Sequence, residues 1–154
     1  MEPVERLLAV MEIGQLLGRY CLMFDDQDWD ALDGIWTEDA AFVVDGVGFE
    51  GRDVLMGFLR TCLPPGYQSK HLISPPVVDL ADDGMSATAR TDVVWIAQNF
   101  ENTIVARYND ELVRVDDGWR IRRRNETALQ HAPRPPPMSD DALRVSGDTM
   151  LSGS

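Results

Sequence analysis

The chain predicts an α+β domain: a cone-shaped, curved antiparallel sheet with three helices on one side, enclosing a pocket. Three observations carry this. Up to Cys62 the apolar residues mostly recur at helical spacing. From about residue 70 to 127 the chain is β-rich and broken by Asp82-Asp83-Gly84 and Asp116-Asp117-Gly118, two hairpin signals. Helices grouped before a run of strands pack on one face of the sheet, and ligands favour the apolar hollow between the two layers.

Residues 3–25 read as a long helix with Pro3 in its first turn. Val4, Leu7, Leu8 and Met11 begin one apolar stripe, and Ile13, Leu16, Leu17, Tyr20 and Phe24 continue it out of phase. The slip falls at Gly14, where a bend or a change of packing partner is expected. Asp28 caps a second, short helix that runs to about Trp36, with Thr37-Glu38-Asp39 as the turn out of it. Ala40 to Val47 is a strand ending at Asp45-Gly46. Gly51-Arg52-Asp53 opens a third helix through Cys62, burying Val54, Leu55, Phe58 and Leu59, and Leu63-Pro64-Pro65-Gly66 stops it. Four strands are expected at about 70–80, 85–98, 102–115 and 118–127, with Phe100 to Asn102 as the remaining connection. The domain is taken as residues 1–131. Residues 132–154, with Pro133, Pro135, Pro136 and Pro137 followed by Ser, Asp and Gly, form a tail expected to be disordered or draped.

Composition narrows the function. The 154 residues suit one core, with 44% hydrophobic and 26% charged residues. A net charge of −12 argues against nucleic acid and anionic membrane surfaces as partners. One local patch, Arg120 with Arg122-Arg123-Arg124, opposes that trend, and at least two of these four read as a solvated strand end. No apolar run approaches a membrane span, the first residues lack signal-peptide character, and a cytoplasmic location is expected. Cys21 and Cys62 are too few for a disulfide framework and read as buried free thiols.

The stretch Arg19-Tyr20-Cys21-Leu22-Met23-Phe24-Asp25 holds the local anomaly. Acids at the end of a helix meet the negative pole of the macrodipole. Asp26 can be solvated and Asp28 is a cap, but Asp25 lies beside the apolar face. It is either a turn residue bonding nearby amides or a functional group. His71 starts an apolar strand, so it is either a core histidine held by a carbonyl or a proton carrier. No histidine pair, CxxC, GxGxxG or P-loop occurs, so no metal and no cofactor are expected. A serine nucleophile at Ser69 is not expected either, the run Ser69-Lys70-His71 placing alternate side chains on opposite strand faces.

The element order, with Arg19-Tyr20, Asp25, Asp28-Trp29-Asp30, Ile35-Trp36-Thr37-Glu38-Asp39-Ala40, Gly51-Arg52, Lys70-His71-Leu72-Ile73, Tyr108 to Arg114 and Asp117-Gly118-Trp119-Arg120-Ile121, resembles the SnoaL-like branch of the nuclear transport factor-like superfamily over about residues 7–127. Scytalone and bile-acid dehydratases of that branch have an aspartate and a histidine at the positions of Asp25 and His71, and the latter also a tyrosine at that of Tyr20. The resemblance implies an Asp25–His71 general acid/base pair, Tyr20 as a donor to a developing enolate, and Phe24, Trp95, Tyr108 and Ile96 around the substrate. Tyr108 also reads as a cross-strand packing residue or second donor. Phe24 stands where scytalone dehydratase has a tyrosine, and no second histidine lies on the 85–98 strand. The implied activity is a cofactor-independent dehydratase, isomerase or cyclase acting on an apolar, polycyclic or polyketide-like carbonyl compound. The alternative is a non-catalytic ligand-binding module or accessory subunit of an oxygenase. A homodimer is expected from the family.

Overall fold

The computed structural model describes residues 2–129. The expected tail, 132–154, lies outside the described residues. Helices α1 (Pro3–Asp25), α2 (Trp29–Asp33) and α3 (Arg52–Cys62) combine with strands β1 (Trp36–Val44), β2 (Val47–Glu50), β3 (Ser69–Ile73), β4 (Val77–Leu80), β5 (Ser86–Ala97), β6 (Thr103–Val115) and β7 (Gly118–Ala128). The seven strands form one open sheet ordered β2-β1-β7-β6-β5-β3, with β4 also on β5. Every pairing is antiparallel except β1 with β7, which is parallel. The α+β class with three helices and an enclosed hollow is as read from the sequence.

Several local expectations change. α1 runs unbroken through Gly14, and the slip in its stripe marks a change of surroundings. Val4, Leu7, Leu8 and Met11 are exposed, whereas Ala9, Ile13, Leu16, Leu17, Tyr20, Cys21 and Phe24 enter the core. By length and mean hydropathy this helix could cross a membrane, but its second half is a core helix. Asp28 caps α2 as expected, its carboxylate accepting from the Ala31 amide at 3.2 Å. α2 is shorter than read, because Thr37-Glu38-Asp39 belongs to β1. Between Trp36 and Ala41 the register against β7 shifts, so this segment lacks the alternation that reveals a strand. Asp45-Gly46 turns the chain into β2, both residues having positive φ (47° and 87°), as a two-residue hairpin requires. β2 is mostly exposed and carries no apolar signal. On α3 the buried residues are Leu55, Met56 and Leu59, and Val54 is exposed.

The expected strand 70–80 is two strands. Pro75 and Pro76 have no N–H to continue the ladder. Ser74 ends it instead, donating its N–H to the Asp92 carbonyl and accepting the Asp92 N–H on its hydroxyl. The core lies between the helices and the inner sheet face, around Trp36, Leu17, Leu32, Leu55, Leu112 and Ile121.

Candidate functional site

Asp25 is the last residue of α1, and β3 supplies what the helix end denies it. Ser69 and His71 are two positions apart and so share a strand face. This corrects the argument from alternation that set Ser69 apart from His71. The Ser69 hydroxyl donates to Asp25 Oδ1 at 2.8 Å, the His71 amide donates to Oδ2 at 2.8 Å, and His71 Nδ1 meets Oδ1 at 2.8 Å. Both side chains are buried, 2% exposed for Asp25 and 4% for His71. Burial works against the Asp25 charge, but the His71 ring, the His71 amide and the Ser69 hydroxyl outweigh it and hold the carboxyl below its ordinary range. An ionised carboxylate can only accept, so Nδ1 carries the proton that it donates to Asp25. Nε2 is then the basic nitrogen, with no hydrogen bond to it among the described residues.

The histidine opens on a cavity of about 350 Å³ between the sheet, α1 and α3. Its walls are mostly apolar, with Phe24, Phe42, Val44, Phe58, Trp95 and Ile104, while Tyr20, Tyr108, Asn102 and Glu126 contribute polar atoms. The Tyr20 and Phe24 rings stand nearly perpendicular to the imidazole, with centroids 6.0 and 5.2 Å from it. Tyr20, Phe24, Trp95 and Tyr108 thus share a chamber with His71. Ile96 does not. Trp95 is the direct cross-strand partner of His71, so the next residue on β5 points away, into an outer groove that also holds Leu72 and Lys70. Cys21 is buried as expected, whereas Cys62 is exposed, at the cavity edge. Burial raises both thiols to about 11.

Two residues on this side of the sheet were not legible as site residues. On β7, Arg122 is an extra residue between the pairs Leu112–Ile121 and Glu111–Arg123. That bulge changes which residues face inward. Trp119 and Ile121 point to the core before it; Arg124 and Glu126 do so after it, where strict alternation would choose Arg123 and Asn125. Arg124 is 1% exposed and grips Asp110 with two bonds, Nε to Oδ1 at 2.7 Å and Nη2 to Oδ2 at 2.9 Å. Its guanidinium lies 4.1 Å from the ring centroids of both Tyr20 and Tyr108. Burial pushes both phenols upward and Arg124 opposes it, so the two hydroxyls stay protonated as donors. Arg120, Arg122 and Arg123 pair with Asp117, Glu111 and Glu50 at the surface.

A family model described as a SnoaL-like domain matches residues 5–125. The chain belongs to the SnoaL-like domain family. No curated protein matches it. Solved structures similar to this SnoaL-like domain include a function-unknown protein from Mycobacterium tuberculosis, studied as an Asp-to-Asn variant (25% identity, 99% of this chain and 93% of that one, TM-score 0.75). A scytalone dehydratase candidate from Novosphingobium aromaticivorans shares 19% identity over 90% of this chain and 100% of that one, at a TM-score of 0.76. The hexachlorocyclohexane dehydrochlorinase LinA shares 21% identity over 89% and 100%, at 0.71. These place the SnoaL-like domain in the nuclear transport factor-like fold.

The site of this SnoaL-like domain has the layout that general-base chemistry uses: a carboxylate behind the imidazole fixes its tautomer, Nε2 is left free of partners among the described residues, and two tyrosines line the same cavity. Among the described residues no group of three or more histidine, cysteine or carboxylate side chains converges as a metal site.

Proposed function

We propose that this SnoaL-like protein is a cofactor-independent lyase or isomerase that acts on an apolar polycyclic or polyketide-like carbonyl compound in the cytoplasm. One observation carries the reading. A 2.8 Å bond between Asp25 and His71 Nδ1 leaves Nε2 for an apolar cavity. There Nε2 takes the proton α to the substrate carbonyl, and Tyr20 or Tyr108 donates to the enolate oxygen where charge develops. A cavity of about 350 Å³ is large enough for a compact fused-ring compound. Two of the similar structures, a dehydratase candidate and a dehydrochlorinase, are named for eliminations, which suits a base beside a leaving group. We also propose a homodimer through the outer sheet face; light scattering should return twice the chain mass, and a monomer at micromolar concentration overturns it.

The test uses a decalone, a bicyclic ketone, in deuterated water. Wild-type protein should exchange the hydrogens α to the carbonyl, and His71→Ala should slow this by roughly 10²–10⁴-fold. Its melting temperature should stay within a few degrees of wild type. No exchange by the wild type, or equal exchange by His71→Ala, transfers the protein to the alternative of a non-catalytic binding module or oxygenase accessory subunit.

A further inference from the structure

Removing an α proton leaves open what the enolate does next, and the cavity holds one group that bears on it. Glu126 is the only carboxylate among the residues that line it with His71. The Arg122 bulge turns it inward, and its cross-strand partners Tyr108 and Val44 line the same space. His71 on β3 and Glu126 on β7 are separated by three strand spacings, about 14 Å across the strands, and are offset along them by the run from Thr91 to Trp95 on β5. Both side chains nevertheless line the one cavity. Among the described residues the Glu126 carboxylate makes no hydrogen bond and no ion pair. Arg124, two positions earlier on the same face, gives Nε and Nη2 to Asp110, while its Nη1 is buried without a hydrogen-bond partner. Glu126 is half-buried, and its carboxyl is held by no neighbour among the described residues.

We propose that Glu126 is the general acid of this site, protonating the leaving oxygen of a β-hydroxy carbonyl substrate whose α proton goes to His71. The proposal rests on the proton-abstraction reading above and narrows the reaction to dehydration. His71 Nε2 takes the α hydrogen, and the C–H electron pair becomes the enolate, held by a tyrosine hydroxyl. As the enolate collapses to the carbonyl, the pair forms the new Cα–Cβ double bond and the Cβ–O bond breaks. The departing oxygen takes the Glu126 proton and leaves as water. The products are the enone and water, and solvent exchange returns the proton from the His71 imidazolium to the Glu126 carboxylate.

The surroundings raise the Glu126 pKa above its ordinary value. Burial is the largest influence and raises its pKa, Arg124 on β7 opposes, and Asp45 in the β1–β2 turn adds to the rise. The other titratable groups lining this cavity are His71 from β3, the Cys62 thiol from α3, Tyr20 from α1 and Tyr108 from β6. Burial raises the pKa values of Cys62, Tyr20 and Tyr108, so these three stay neutral.

The experiment compares a decalone with its β-hydroxy derivative. Isotope exchange on the first requires only the base; elimination from the second requires base and acid. Glu126→Gln should lower the ratio of elimination to exchange by about 10²–10⁴-fold relative to wild type. The exchange reading also serves as the check that the variant is folded. If the variant does not fold, wild type alone decides. Its elimination should carry a descending limb as pH rises through the Glu126 pKa, and its exchange should lack that limb. Exchange without elimination in the wild type, equal elimination by Glu126→Gln, or the same pH profile for both reactions overturns the role of Glu126 and leaves His71 as base intact. Absence of exchange in the wild type overturns the proton-abstraction reading itself.

Discussion

Two buried carboxylates, each held against one nitrogen side chain, stand on either side of Tyr20, and they are built for different ends. In both, one carboxylate meets one nitrogen base at nearly the same distance, 2.8 Å for Asp25–His71 and 2.7 Å for the shorter contact of Asp110–Arg124. Asp110 uses both oxygens on one guanidinium, whose face is covered by two tyrosine rings. Both Asp110 oxygens are thus committed, although Arg124 Nη1 is buried without a hydrogen-bond partner. Asp25 spreads its oxygens over a hydroxyl, an amide and one imidazole nitrogen, and leaves the other nitrogen at a cavity. A carboxylate that holds a proton carrier from behind orients it; one that consumes its partner's forked donor only fixes position.

The contrast can be broken first on the Asp110 side. Asp110→Ala strands a buried guanidinium and should destabilise the fold by about 3–5 kcal/mol, measured by denaturant unfolding. A loss below ~1 kcal/mol would mean that Arg124 finds water or another partner. On the open side, Asp25→Asn keeps the shape but removes the charge that supports the imidazolium. Exchange on the decalone should fall about a hundredfold, equivalent to about 2.7 kcal/mol on the barrier, with little change in ligand affinity. Equal losses in affinity and rate would make Asp25 a structural residue.

The smallest effect is in acid. The folded-state pKa of Asp25 lies below its unfolded value, so its stabilisation is present above the unfolded pKa, near 3.9, and disappears as pH falls through the lower folded one. Wild type should therefore lose this share of stability between those two values, and Asp25→Asn should flatten that part of the acid limb in a series of thermal melts. An unchanged limb would assign the acid sensitivity to other carboxylates.

The open pair was legible because each member breaks a local expectation. Asp25 sits at the wrong end of a helix dipole, and His71 opens an apolar strand. The Asp110–Arg124 pair was hidden because its cause is a single inserted residue, Arg122, whose bulge reverses the facing of everything after it. An Arg120-to-Arg124 run read without that bulge looks like solvated strand. The same limitation hid β2 and the first residues of β1, where exposed or irregular pairing removes the period-two signal. Helix ends with explicit stop residues, such as Leu63-Pro64-Pro65-Gly66 after α3, were read closely.

The parallel pairing of β1 with β7 has a consequence for how the molecule comes into being. Phe42 pairs with Arg124, and Val44 with Glu126, contacts that join the first third of the chain to its last described strand. During synthesis, α1 leaves the ribosome long before β3 or β7 exists to cover Leu16, Leu17, Tyr20 and Phe24. A helix this apolar then waits in the open, and non-local strand pairings form late and slowly. Refolding should be slower than for a helical bundle of equal length, and the nascent chain should draw holdase chaperones until β7 has emerged.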